Sequence, residues 1–168
     1  MKPQKILSTL ELAACMAIAL AAPGALAAQA AALDAGSFRI FVDGHAAGTE
    51  EFTIRRTGSG TAEEVTASGR VDVQLPSGTL ELSPRLRATG LSADPVSYQV
   101  DVGGSSPQRI VGTVGSGRFS AKIVTGAGEQ LREYVVSSGA LVLDDGVAHH
   151  YYFLAQRGAA RVPVIIPR

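Results

Sequence analysis

Val65-Thr66-Ala67-Ser68-Gly69-Arg70-Val71-Asp72-Val73-Gln74-Leu75 alternates apolar or small residues with polar ones from end to end. Neighbouring side chains on a strand point to opposite faces, so this stretch has one dry face and one wet face. The same period recurs on both sides of it. Phe38, Ile40 and Val42 alternate with Arg39, Phe41 and Asp43; Phe52 and Ile54 alternate with Glu51, Thr53 and Arg55. Leu80, Leu82 and Leu86 share one parity and Glu81, Ser83, Arg85 and Arg87 the other. Val96, Tyr98, Val100 and Val102 alternate with Ser97, Gln99 and Asp101, and Phe119, Ala121 and Ile123 with Arg118, Ser120 and Lys122. One-sided alternation belongs to antiparallel sheets rather than to parallel strands buried on both faces.

Between these segments lie glycine-rich breaks: Asp43-Gly44, Thr57 to Gly60, Pro76-Ser77-Gly78, Gly103 to Ser106, Gly115 to Gly117 and Gly126 to Gly128. Glycine reaches positive φ without steric cost, as tight hairpins require. The pattern predicts an all-β, mainly antiparallel fold: an up-and-down meander of about eight to nine strands, curved into a half-barrel or a barrel. Eight of these strands fall before Ser137.

Val147 to Arg157 (VAHHYYFLAQR) breaks the alternation. Val147, Tyr151 and Leu154 recur at i, i+4 and i+7, which predicts one short helix near the C-terminus. Asp144 or Asp145 is placed to cap its first turn. The tail Arg161 to Arg168 is apolar and flanked by prolines, and suits an edge strand.

The N-terminus reads as a leader. Lys2 and Lys5 precede the apolar run Leu12 to Ala22, Pro23-Gly24 breaks it, and Ala25-Leu26-Ala27 or Ala28-Gln29-Ala30 offers a cleavage signal. The expected organisation is a signal peptide over residues 1–30, a linker over 31–36 and a single β-rich domain over 37–168. Such a chain would be periplasmic or secreted, with no membrane span once the leader is removed. Cys15, the only cysteine, lies in the leader, so the rest has neither disulfides nor thiolate zinc sites. Two of the 15 basic and one of the 15 acidic residues also fall there, leaving a nearly neutral domain. That balance argues against nucleic acid as a partner.

Chemistry-bearing motifs are sparse. His149-His150 with Asp144 and Asp145 carries metal-ligating side chains, but adjacent helical residues point about 100° apart and cannot both face one ion unaided. Asp145 and His149, at i and i+4, share a face. Glu50-Glu51 and Glu63-Glu64 each put one carboxylate on a given side and read as solvated faces. Gly112 to Gly117 (GTVGSG) lacks the Lys and Ser/Thr of a phosphate loop. No catalytic residue, metal or cofactor is assigned.

Phe38-Arg39-Ile40-Phe41-Val42-Asp43-Gly44, followed by Gly48-Thr49-Glu50-Glu51-Phe52-Thr53-Ile54, resembles the opening hairpin of uncharacterised exported bacterial β-meander proteins. Leu143 to Tyr152 is similar to the segment that follows the sheet in the same proteins. Meanders of this shape resemble lipoprotein-carrier half-barrels, which carry acyl chains. The resemblance covers most of the chain as a pattern and implies a half-barrel; it carries over no site residue.

A long one-sided sheet must have its dry face covered. The cover can be the sheet closing on itself, the Val147–Arg157 segment acting as a plug, or an apolar ligand in what the plug leaves open. The expectation is an exported, non-enzymatic binding protein for a lipid or other apolar molecule. Its inward candidates are Phe52, Ile54, Val71, Val73, Leu80, Leu82, Val100, Phe119, Ile123, Tyr151 and Leu154. The alternatives are an assembly role in the cell envelope and a metal-dependent hydrolase using His149 and His150.

Overall fold

A computed structural model describes residues 30–90, 92–158 and 161–168. The expected leader and its cleavage signals lie almost wholly outside the described residues.

Eight antiparallel strands form one sheet in sequence order: β1 (Ala31–Val42), β2 (His45–Thr57), β3 (Glu64–Leu75), β4 (Gly78–Thr89), β5 (Asp94–Gly104), β6 (Gln108–Gly115), β7 (Arg118–Thr125) and β8 (Gly128–Val135). The strand order leaves β1 and β8 as free edges, so the meander is a half-barrel and not a closed barrel. The linker expected over 31–36 is instead the first half of β1, with Ala31 opposite Arg56 and Gly36 opposite Phe52. Its sequence lacks alternation because both faces there are largely exposed.

Hairpin chemistry follows the glycine breaks. Asp43 and Gly44 both take positive φ (50° and 79°), and the residues on either side, Val42 and His45, pair directly. That is the two-residue geometry whose twist matches right-handed strands.

The alternating rows meet on the inner face. Ile54, Ala67, Leu86 and Tyr98 lie opposite one another across β2 to β5. Pro84, Val100, Ile110 and Ile123 do the same across β4 to β7. The next partner in the Tyr98 row is Gly112, where a side chain has no room: a Cβ would fall 2.3 Å from the Phe119 ring. Phe119 itself is fully buried.

The C-terminal segments cover this face. β9 (Leu141–Val142) pairs in parallel with β10 (Val164–Ile165), a shorter tail strand than the sequence predicted. Between them a single 3₁₀ turn, Ala148–His150, runs into helix α1 (Tyr151–Gln156). Leu141, Val142, Val147, Phe153 and Ile165 join the sheet residues in one core. The predicted helix is therefore present and plugs the half-barrel. No helix among the described residues is long and apolar enough to cross a membrane.

Gly112→Ala should lower stability by about 1–3 kcal/mol, because the fully buried Phe119 ring would have to shift within the packed core to admit the methyl group. Chemical denaturation measures it, and a loss below about 0.5 kcal/mol would show that the ring yields freely.

Candidate functional site

Glu50 has the same parity on β2 as Phe52 and Ile54, and its side chain is fully buried. It is not the solvated carboxylate expected of the Glu50-Glu51 pair; Glu51 alone is exposed. Glu63 is also buried. A buried carboxylate needs donors, and Glu50 finds three on the 3₁₀ turn. The Ala148 N–H donates to Oε2 at 2.7 Å, the His149 N–H to Oε1 at 3.0 Å, and the His149 ring Nδ1 to Oε1 at 2.5 Å. The first N–H groups of a helical turn have no partner inside it. Here the cap comes from the sheet. Neither Asp144 nor Asp145 caps the turn with its side chain: Asp144 supplies only its backbone carbonyl to the Val147 N–H, and Asp145 is exposed.

Gly69 makes the approach possible. A Cβ there would lie 2.9 Å from His149 Cε1 and 3.0 Å from the Glu51 carbonyl oxygen. The His149 ring instead lies flat over Phe52 (centroids 5.7 Å apart, planes 4° apart), and Phe52 stacks in turn on Phe38 at 5.1 Å. His150 meets His149 edge-on at 4.8 Å, and Tyr98 meets His150 likewise at 5.5 Å.

The second half of the cluster is built on Asp144, also buried. Its Oδ2 accepts the Tyr98 hydroxyl, its Oδ1 accepts Arg168 Nε at 2.9 Å, and its backbone N–H donates to His150 Nδ1 at 3.1 Å. An accepting Nδ1 puts the proton of neutral His150 on Nε2. The Nε2 atoms of both histidines are buried without a hydrogen-bond partner among the described residues.

The protonation states follow from these surroundings. Burial raises the Glu50 carboxyl, but the His149 ring and the two backbone N–H groups outweigh it and hold the group below its ordinary value. Burial, helped by the charges of His149 and Arg168, drives His150 down to about 3. Burial first and the Asp144 carboxylate second push the Tyr98 phenol up, so it stays a neutral donor.

Above this cluster lies a pocket of about 700 Å³ between the sheet and the C-terminal segments. Ile40, Val42, Val73, Leu75 and Leu80 form its sheet wall; Leu143, Val147, Val164 and Ile166 close the other side. Its polar residues are Glu50, Asp144, Asp145 and Arg168, with Tyr151 at 61 % exposure. His149, His150 and Tyr98 are not among the lining residues. No three His, Cys, Asp or Glu side chains among the described residues are arranged to hold a metal ion. The cluster shares Glu50 and Asp144 with the pocket lining, while its histidines and Tyr98 stay out of that lining.

The sequence candidates divide accordingly. Val73, Leu80 and Tyr151 line the pocket. Ile54, Val71, Leu82, Val100, Phe119 and Ile123 are packed core. Phe52 belongs to the aromatic stack and Leu154 packs half-buried against the core. Sequence reasoning missed Glu50 and Arg168. Glu50 had a signal, a carboxylate in the apolar parity of its strand; Arg168 had none.

Glu50→Ala would leave the turn donors unpaired and should cost about 3–5 kcal/mol, with Glu50→Gln costing less because it keeps an acceptor oxygen. Equal losses in urea denaturation would contradict this account of the cap. The pH dependence has a definite sign. Between about 3 and the ordinary 6.5, the unfolded chain protonates His150 and the folded chain does not, so stability falls as pH drops through that window. Glu50, held below its ordinary 4.5, adds a loss in the same direction at still lower pH. Wild type should therefore lose up to about 1.4 kcal/mol per pH unit more than His150→Gln between about pH 6.5 and 5. Parallel slopes in that range would show that His150 titrates normally.

On comparison with known proteins, the chain matches no family model, no curated protein and no solved structure.

Proposed function

We propose that this chain is an exported, non-enzymatic binding protein, periplasmic or secreted, that holds a lipid or another apolar molecule in the pocket over Glu50 and Asp144. The observation that carries the reading is the pocket itself. The plug fills most of the half-barrel but leaves about 700 Å³ walled by aliphatic side chains from β1, β3 and β4. That volume lies within the roughly 300–1,000 Å³ usual for small-molecule sites, and apolar walls with a few polar groups are their common composition. The charged start, apolar run and small-residue signals of residues 1–30 favour export, and an open half-barrel is the shape expected from the resemblance to acyl-chain carriers.

A second reading, assembly in the cell envelope, has its own observation. Every residue of edge strand β8 is exposed, with Leu131 at 79 % and Val135 at 85 %. Exposed apolar edges are templates for strand addition.

Native mass spectrometry of protein taken from the periplasm, followed by solvent extraction, tests the first reading. Extra mass that leaves as lipid is expected, and Leu80→Trp, which fills the pocket from its sheet wall, should retain less. A bare chain that takes up neither dodecanol nor dodecanoate on challenge would overturn the ligand reading. Concentration-dependent self-association lost in Leu131→Lys would then favour assembly through β8.

A further inference from the structure

The pocket's polar groups are unequally spent. Glu50 accepts three N–H donors with its two oxygens. Asp144 has one oxygen on Tyr98 and the other on Arg168. Arg168 is different. Its side chain is only 13 % exposed and its Nε is committed to Asp144, yet its two Nη nitrogens make no hydrogen bond among the described residues. A guanidinium presents five N–H donors in a fixed fork, so the four on the Nη atoms remain for an occupant. The unspent capacity of the buried lining groups is thus donor capacity on Arg168, whose guanidinium is oriented by its Nε contact with Asp144. Among the described side-chain carboxylates that line the pocket, only Asp145 has no hydrogen-bond partner, and it is exposed.

We propose that the occupant is a carboxylate-headed aliphatic molecule, its head on the Nη fork of Arg168 and its chain against Ile40, Val42, Val73, Leu75 and Leu80; this rests on the apolar-ligand reading above. A carboxylate matches the fork in a bidentate pair, shorter and stronger than a neutral contact. The aliphatic wall takes the chain, whose transfer from water is favourable for each methylene. A cationic head would find both buried carboxylates already engaged and only the solvent-exposed Asp145 free, where an ion pair contributes little.

Calorimetric titration of the full chain with dodecanoate, dodecanol and dodecyltrimethylammonium, each below its micelle concentration, tests the assignment. Wild type should bind dodecanoate about tenfold or more tightly than dodecanol. Arg168→Gln should bring the ratio of those affinities near one, and Arg168→Lys should leave it between the two. Because Arg168→Gln also loses the Asp144 contact, Asp145→Asn gives an independent arm: with a carboxylate removed from the lining, dodecanoate binding should tighten about twofold or more and dodecanol binding should not. Equal binding of acid and alcohol by wild type, or a preference for the ammonium, would overturn the head-group assignment and leave the apolar pocket standing. Binding of none of the three probes would overturn the pocket reading itself.

Discussion

The arrangement depends on one buried carboxylate. Glu50 sits in the apolar row of β2, where an unpaired charge would cost several kcal/mol. Its burial is offset only because the Ala148–His149 turn brings three donors to its two oxygens. The requirement works in both directions. The sheet cannot bury Glu50 without the turn, and the turn has no other cap, since no side chain of its own segment bonds its leading N–H groups. The pair therefore fixes where the C-terminal segment lands on the half-barrel, in a way that non-directional apolar packing would not.

Landing there has consequences for the rest of the plug. Asp144, four residues before Ala148, is drawn under the sheet, where Tyr98 of β5 meets one oxygen. The parallel β9–β10 pair brings the tail back beside it, with Leu141 N–H donating to the Pro163 carbonyl at 2.9 Å and Leu143 N–H to that of Ile165 at 3.0 Å. Arg168 then reaches Asp144 from the far side. A half-barrel with free edges at β1 and β8 cannot bury its inner face by closure, so this cover is obligatory. The pocket is the space where the cover stops short of the β1, β3 and β4 rows.

The period-two rows, the glycine turns and the helix near the end were legible because each is a local pattern with a local cause. Parity on one strand fixes which side chains face inward, and a two-residue hairpin depends on the two residues that form it. The limits of that reading are physical too. Alternation marked Val71, Leu82 and Val100 as inward but could not separate core from pocket wall, because that depends on where the plug ends. The linker assignment failed at Ala31–Gly36, where a strand exposed on both faces carries no alternation. Parity already split Glu50 from Glu51, but a carboxylate in the apolar row reads as solvated until the turn that supplies its donors is seen to land on it. Nothing near Arg168 in sequence signals its partner, since Asp144 is reached through the parallel tail strand.

The cluster and the pocket share Glu50 and Asp144, and this sharing bears on what the site can do. Both carboxylates are anchored to strands, by Glu50's own position on β2 and by Tyr98 on β5. Glu50 is held directly by the sheet, whereas Asp144 and Arg168 belong to the C-terminal segments and are tied to it through the Tyr98 hydroxyl. The histidines contribute by shape and hydrogen bonding. His149 lies flat on Phe52, and His150, kept neutral, receives the Asp144 N–H. Neither histidine lines the pocket, whose polar lining is Glu50, Asp144, Asp145 and Arg168. On the proposed reading, the buried acceptors Glu50 and Asp144 are already satisfied and the guanidinium of Arg168 carries the donors left for a ligand.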